Sequence, residues 1–230
     1  MTKYVLANWK SHKILAEAEH WMTTFIRLWH PSPEVKVIVA PPAVYLDPLW
    51  KIVQDSQTTG LSLAVQDLSP FPLGAYTGAV AAEMIRDRVD YALVGHSERR
   101  RYFHETNQEI VNKVGEATAA GITPIVCVER HNARAQLAAM NNGDTEDLMI
   151  GYGPTEAIGI NIAQSPDKVL EAVGEIKAVL PGNPILYGGS ILPENAGIYM
   201  GIPGITGVMV GSASLDPETF VAICETVARS

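Results

Sequence analysis

Short apolar runs recur along this chain with amphipathic stretches between them, and that alternation restricts its possible folds more than any other feature. The runs fall at residues 4–7, 35–40, 61–66, 91–94, 124–128, 148–152, 184–187 and 206–210. They are apolar almost throughout, the pattern of strands buried on both faces rather than on one. The segments between them have helical period. Leu15, Ala18, Met22, Phe25 and Trp29 share one face of the first, with Glu17, Glu19 and Arg27 elsewhere. A later segment carries Val169, Val173, Ile176 and Leu180 as its inner stripe. Start signals agree: Thr106 and Glu109 have the spacing of a capping box, while Ser165-Pro166 and Asp216-Pro217 each set a capping residue before a proline at the first helical position.

Eight such strands alternating with helices predict a closed (β/α)8 barrel. A doubly wound open sheet is the alternative. That fold usually carries a glycine-rich loop after its first strand, whereas here the first strand runs into Asn8-Trp9-Lys10. No linker, low-complexity tract or charge block interrupts the 230 residues, so the expectation is a single domain over 1–230. The middle is compact: residues 130–147 hold one helix, expected over 132–140, and then an Asn-Asn-Gly turn.

Composition excludes several classes. The net charge of −8 argues against a nucleic-acid partner, which requires a basic face. No apolar run approaches the ~18 residues of a membrane helix, and the first residues lead into a strand without signal-peptide anatomy. Cys127 and Cys224 are isolated; they read as small buried apolar residues in a protein of a reducing cytosol, so a cytoplasmic location is expected. An anionic ligand would need local help against the overall charge, from a cation and from helix N-termini.

In a barrel of this kind chemistry sits at the C-terminal ends of the strands. That rule selects Asn8, Lys10, Gln66, His96, Glu98, Glu129, Gly153, Ser190, Gly211 and Ser212. Lys10 is either a point cation for a phosphate or oxyanion, or an ordinary surface lysine. His96 precedes the helical stretch that begins at Ser97, where a helix dipole disfavours the imidazolium form; it is either a neutral donor and acceptor or a satisfied core histidine. Glu98 and Arg99 read as an internal ion pair supporting that turn, or Glu98 as a direct participant. Tyr187-Gly188-Gly189-Ser190 and Val210-Gly211-Ser212-Ala213-Ser214 each follow one of the last two strands, where glycines let backbone N–H groups converge on an anion. No cluster with metal-ligand spacing and no nucleotide-binding fingerprint is present, so no cofactor is expected.

Ala7-Asn8-Trp9-Lys10, Gly74-Ala75-Tyr76-Thr77-Gly78, Val94-Gly95-His96-Ser97-Glu98-Arg99-Arg100, the two glycine–serine turns and the segment 152–159 together resemble the triosephosphate isomerase family, in order and from end to end, in its compact form. The resemblance implies a (β/α)8 barrel interconverting two triose phosphates in glycolysis and gluconeogenesis. Asn8 and Lys10 would contact substrate, and His96 would be the neutral electrophile. The backbone at Gly159, Ser190, Gly211 and Ser212 would hold the phosphate. Thr77 would reach into a neighbouring subunit's site, which implies a homodimer or a tetramer built from it. At position 153, where the family carries its catalytic glutamate before a proline, this chain has Gly153. The expectation is a strongly impaired enzyme, with Glu156 or Glu98 as the stand-ins considered and no new carboxylate placed to take over. A catalytically silent phosphate-ester binding protein on the same barrel is the alternative, and an isomerase of another phosphosugar is a third reading.

Overall fold

The computed structural model describes residues 2–140, 147–154 and 162–230. Along the chain lie β1 (Lys3–Asn8), α1 (Leu15–Leu28), β2 (Val35–Ala40), α2 (Leu46–Ser56), β3 (Leu61–Val65), α3 (Ala82–Ile85), β4 (Tyr91–Val94), α4 (Ser97–Tyr102) and α5 (Asn107–Ala119). Then come β5 (Thr123–Val128), α6 (Arg130–Ala138), β6 (Met149–Tyr152), α7 (Pro166–Lys177), β7 (Ile185–Tyr187), α8 (Ala196–Met200), β8 (Gly207–Val210) and α9 (Pro217–Arg229). All eight strands pair in parallel and in chain order, and β1 pairs with β8 to close the barrel.

Side chains alternate across each strand, and the alternation divides the core in two. Leu6, Ile38, Leu93, Ile125, Met149 and Leu186 point into the barrel lumen. Their neighbours Val5, Ala7, Val37, Val39, Val126 and Ile150 point outward, where the helices cover them. Both faces are therefore apolar. That is why the strands read as continuous hydrophobic runs instead of alternating ones.

Closure has a steric condition. Tyr4 pairs with Gly207 where β1 meets β8. A Cβ on Gly207 would lie 2.4 Å from the Tyr4 carbonyl oxygen, so the first and last strands approach this closely only because that side chain is absent.

Helix starts follow the expected chemistry. The Thr106 hydroxyl accepts the Glu109 amide and the Glu109 carboxylate accepts the Thr106 amide, a reciprocal cap on α5. Asp216 caps α9 by accepting the Thr219 amide at 2.8 Å, with Pro217 next in line. In α7, Val169, Val173 and Ile176 are buried, as is Leu180 just beyond it. Two expectations are corrected. Leu15, assigned to the buried face of α1, is 41 % exposed at the first position of the helix; Trp21 is buried with Ala18, Met22 and Phe25 instead. The helix expected over 132–140 begins at Arg130, and Asn132 serves within its first turn by accepting the Glu129 amide at 2.9 Å. The Asn-Asn-Gly turn lies outside the described residues.

Candidate active site

At the C-terminal ends of the strands a cavity of about 430 Å³ opens. Asn8, Lys10, His96, Gly153, Ser190, Gly211 and Ser212, seven residues that strand-end position had selected, all line it. Gly159 and Glu156 lie outside the described residues.

Lys10 follows β1 in a left-handed backbone conformation, φ 52°, which is strained for a residue with a Cβ. Its surroundings hold it there. The Asn8 side-chain oxygen accepts the Lys10 amide at 3.0 Å. The Gln66 amide, just past β3, donates to the Lys10 carbonyl at 2.9 Å and to the Ala40 carbonyl at 2.8 Å. Gln66 had been assigned to the third strand; the strand ends one residue earlier, and the side chain ties three strand ends together. The Lys10 ammonium meets the Glu98 carboxylate at 2.6 Å.

Glu98 is therefore Lys10's partner, not Arg99's. The expected Glu98–Arg99 pair is not formed: Arg99 turns the other way, to Asp67 at 2.8 Å and Glu105 at 3.1 Å, and buried Lys113 bridges the same two carboxylates. Adjacent residues at a helix start point in different directions, and here each finds its counterpart on another element.

His96 is the N-cap of α4 and only 15 % of its side chain is exposed. Burial lowers its pKa below the ordinary value, and neighbouring Lys10 and Arg99 act in the same direction against Glu98. The Glu98 amide donates to Nδ1 at 3.3 Å, which makes Nδ1 an acceptor and leaves the ring proton on Nε2. This lowering favours the uncharged imidazole, and its principal cause is removal from water.

The two glycine–serine turns form the opposite wall. Ser190 is held at φ 49°, with Asn195 donating to its carbonyl at 3.0 Å and accepting the Leu192 amide at 2.9 Å. After β8, the Gly211 carbonyl accepts both the amide and the hydroxyl of Ser214. This starts a short 3-10 turn, Ser212–Leu215, whose first amides have no acceptor within the turn itself. The floor is made by Met209, whose side chain fills the space left by Gly151 and Gly188: a Cβ on either would come within 2.8 Å of it. Cys127 also lines the cavity, and burial pushes its thiol up to about 12, so it is no nucleophile near neutral pH.

One more strand-end candidate, to which the sequence assigned no role, belongs here. Glu129, at the end of β5, lines the same cavity with 13 % of its side chain exposed. Its position after a strand was the available signal. Its neighbourhood was not legible. Thr77 does not line this cavity: it is exposed on the loop after β3, in the wall of a second cavity that shares Lys10 with the first.

Fold and cavity define the class, a (β/α)8 barrel with its polar side chains gathered at the C-terminal ends of the strands. Comparison with known sequences narrows it. The profile of the family described as triosephosphate isomerase matches residues 3–227. The chain is 37 % identical to the triosephosphate isomerase of Xanthomonas euvesicatoria pv. vesicatoria over 251 residues, covering 98 % of each. It is 36 % identical to that of Synechococcus sp. over 245 residues, 99 % of each. With that of Symbiobacterium thermophilum identity is 33 % over 254 residues, 100 % of this chain and 98 % of the relative. The chain belongs to the triosephosphate isomerase family.

Proposed function

We propose that this protein binds dihydroxyacetone phosphate and D-glyceraldehyde 3-phosphate and interconverts them, at a rate strongly reduced because position 153 is glycine. One observation carries the reading: an ammonium, an uncharged imidazole and two glycine–serine turns face a single cavity of about 430 Å³. The phosphate would rest against the backbone of Ser190, Gly211 and Ser212, with Gly159 completing the cradle. That placement brings the carbonyl end toward Lys10 and His96. As a proton leaves the carbon beside the carbonyl, charge develops on oxygen, where the Lys10 ammonium and the His96 Nε2–H stabilise it. A neutral imidazole suits this step because it can give up one proton and accept another between the two oxygens; the pairing of a neutral histidine with a glutamate base is the handling known for this enzyme class. The chemistry needs no cofactor.

Gly153 lines the cavity and has no acid–base group. General acid–base catalysis contributes ~10²–10⁴-fold. Replacing Gly153→Glu is therefore expected to raise turnover at least ~10²-fold in a coupled assay, and an unchanged rate would discard the reading. Titration with phosphoglycolate, a mimic of the enediolate, separates the alternative: tight binding with no turnover even in the Gly153→Glu protein marks a phosphate-ester receptor.

The assembly we propose is a homodimer, or a tetramer made of such dimers, in the cytoplasm. Its support is the second cavity, about 670 Å³, which lies between the loop bearing Thr77 and the face carrying Arg99 and Phe103. Phe71 and Tyr76 stack at 4.5 Å on that loop and are both exposed, as is Phe103. An exposed apolar patch beside a concave surface fits a second copy of the same chain.

A further inference from the structure

We propose that Lys13 is a positioning residue: it clamps the loop carrying Lys10 to the turn carrying Gly211 and Ser212, and so sets the distance between the two ends of the cavity. This deepens the triose-phosphate reading and rests on it.

Lys13 stands where the backbone least suits a residue with a side chain. It adopts φ 70°, a left-handed conformation that glycine takes freely and that strains other residues. Such a conformation persists where surrounding contacts hold it. Three contacts do so here. The Lys13 ammonium donates to the Leu215 carbonyl at 2.7 Å, joining residues 202 positions apart. The same ammonium lies over the Trp9 ring, 5.3 Å from its centroid. The Tyr45 hydroxyl, from the residue before α2, donates to the Lys13 carbonyl at 3.3 Å. Partial burial lowers the Lys13 pKa, with Glu17 and Asp216 acting the other way. An ammonium drawn partly out of water relies on the carbonyl it meets.

Two of these partners belong to working parts of the site. Trp9 is fully buried and lies between Asn8 and Lys10 in the chain, so a cation resting on its ring is tied to the base of Lys10. Leu215 closes the 3-10 turn that Ser212 opens, and Gly211 directly precedes that turn. Lys13 thus grips the far end of a turn whose near end lines the cavity. The loop and the turn also meet directly: a Cβ on Gly211 would lie 3.9 Å from Lys10 Cε, at ordinary van der Waals distance. They follow β1 and β8, whose pairing closes the barrel and ends at Ala7 opposite Val210. The strand pairing that fixes their spacing therefore stops just short of the site, and the Lys13 bond spans the two segments beyond it.

That spacing has a chemical meaning. On the triose-phosphate reading the substrate is held at both ends, its phosphate by the backbone of the turn and its carbonyl end by Lys10. A ligand gripped at two ends is sensitive to the gap between them, because a misfit of a fraction of an ångström loosens one grip or the other. Lys13 does not itself line the cavity, so its action on the substrate runs through these two segments.

The test compares wild type with Lys13→Met and Lys13→Gly by calorimetry with two ligands. Phosphoglycolate reaches from the phosphate turn to Lys10, whereas inorganic phosphate is short enough to occupy the turn alone. Methionine keeps an apolar stem over Trp9 and removes the ammonium; glycine removes the side chain and the strain at φ 70° together. The expected result is a fall in phosphoglycolate affinity of at least ~10-fold in both variants, as for one lost charge-assisted hydrogen bond, with inorganic phosphate affinity kept within ~3-fold. A general loosening of the fold would weaken both ligands alike. Phosphoglycolate affinity within ~3-fold of wild type in both variants overturns the assignment. Equal loss for the two ligands also overturns it, since Lys13 would then act on the phosphate end alone or on the fold at large. Failure of the wild type to bind phosphoglycolate removes the triose-phosphate reading itself and this inference with it. If Lys13→Met does not fold, Lys13→Gly, which relieves the backbone strain, decides the matter by the same comparison.

Discussion

His96 shows how a single side chain acquires its chemistry from its surroundings. Burial first, then the nearby cations Lys10 and Arg99, hold its pKa below the ordinary histidine value, against the pull of Glu98. The sign of the consequence follows. Below about pH 6.5 the unfolded chain takes up a proton at this position that the folded chain refuses, so stability is lost as pH falls through that region. Urea unfolding at pH 7.5 and pH 5.5 should therefore show a smaller drop in stability for His96→Gln than for wild type; an identical drop would mean the imidazole is not held neutral. Lys10 and Glu98 make a complementary point. Each was legible as a candidate because it follows an apolar strand, but their mutual contact at 2.6 Å joins residues 88 positions apart. Sequence order offered Glu98 a different partner, Arg99, and the fold gave Arg99 to Asp67 and Glu105.

At the scale of elements, the strands and helices follow from patterns that sequence carries openly. Apolar runs bounded by polar strand ends placed all eight strands to within a residue or two, because strands buried on both faces leave no polar positions to blur their limits. Helix starts at Thr106 and Asp216 were readable because capping needs particular side chains at fixed offsets. The start of α6 was missed by two residues, since Asn132 is a good cap that the structure uses one turn further in. The joint between β1 and β8 carries a prediction. Gly207→Ala would force a Cβ to within 2.4 Å of the Tyr4 carbonyl, and because backbone cannot yield as a side chain can, the substitution should cost at least ~1–3 kcal/mol in urea unfolding. Unchanged stability would show that the barrel closes with slack.

For the whole molecule, the barrel turns one end into a reaction chamber and leaves one side of that end concave. Thr77 is exposed beside that concavity, and the two cavities share Lys10, so a partner docked at the second would border the first. On the proposed homodimer, Thr77→Arg, a bulky charge at the loop tip, is expected to shift the sedimenting species from dimer to monomer and to lower turnover, since Lys10 would then lose a wall that the partner would supply. A variant that sediments as wild type would argue against this face as the interface. The net charge of −8 does not oppose an anionic substrate at such a site. Salt screens distant carboxylates over ~8–10 Å, while Lys10 and the backbone of the turns act at contact range.

The sequence by itself determined the number and order of the strands, the capped starts of several helices and the set of polar residues at strand ends, because each depends on side chains near one another in the chain. Only the tertiary structure decided which of those residues share a cavity, that Glu98 belongs to Lys10, and that Glu129 stands next to Gly153. Those facts depend on strand register and barrel closure, which fix distances between residues that no local pattern relates.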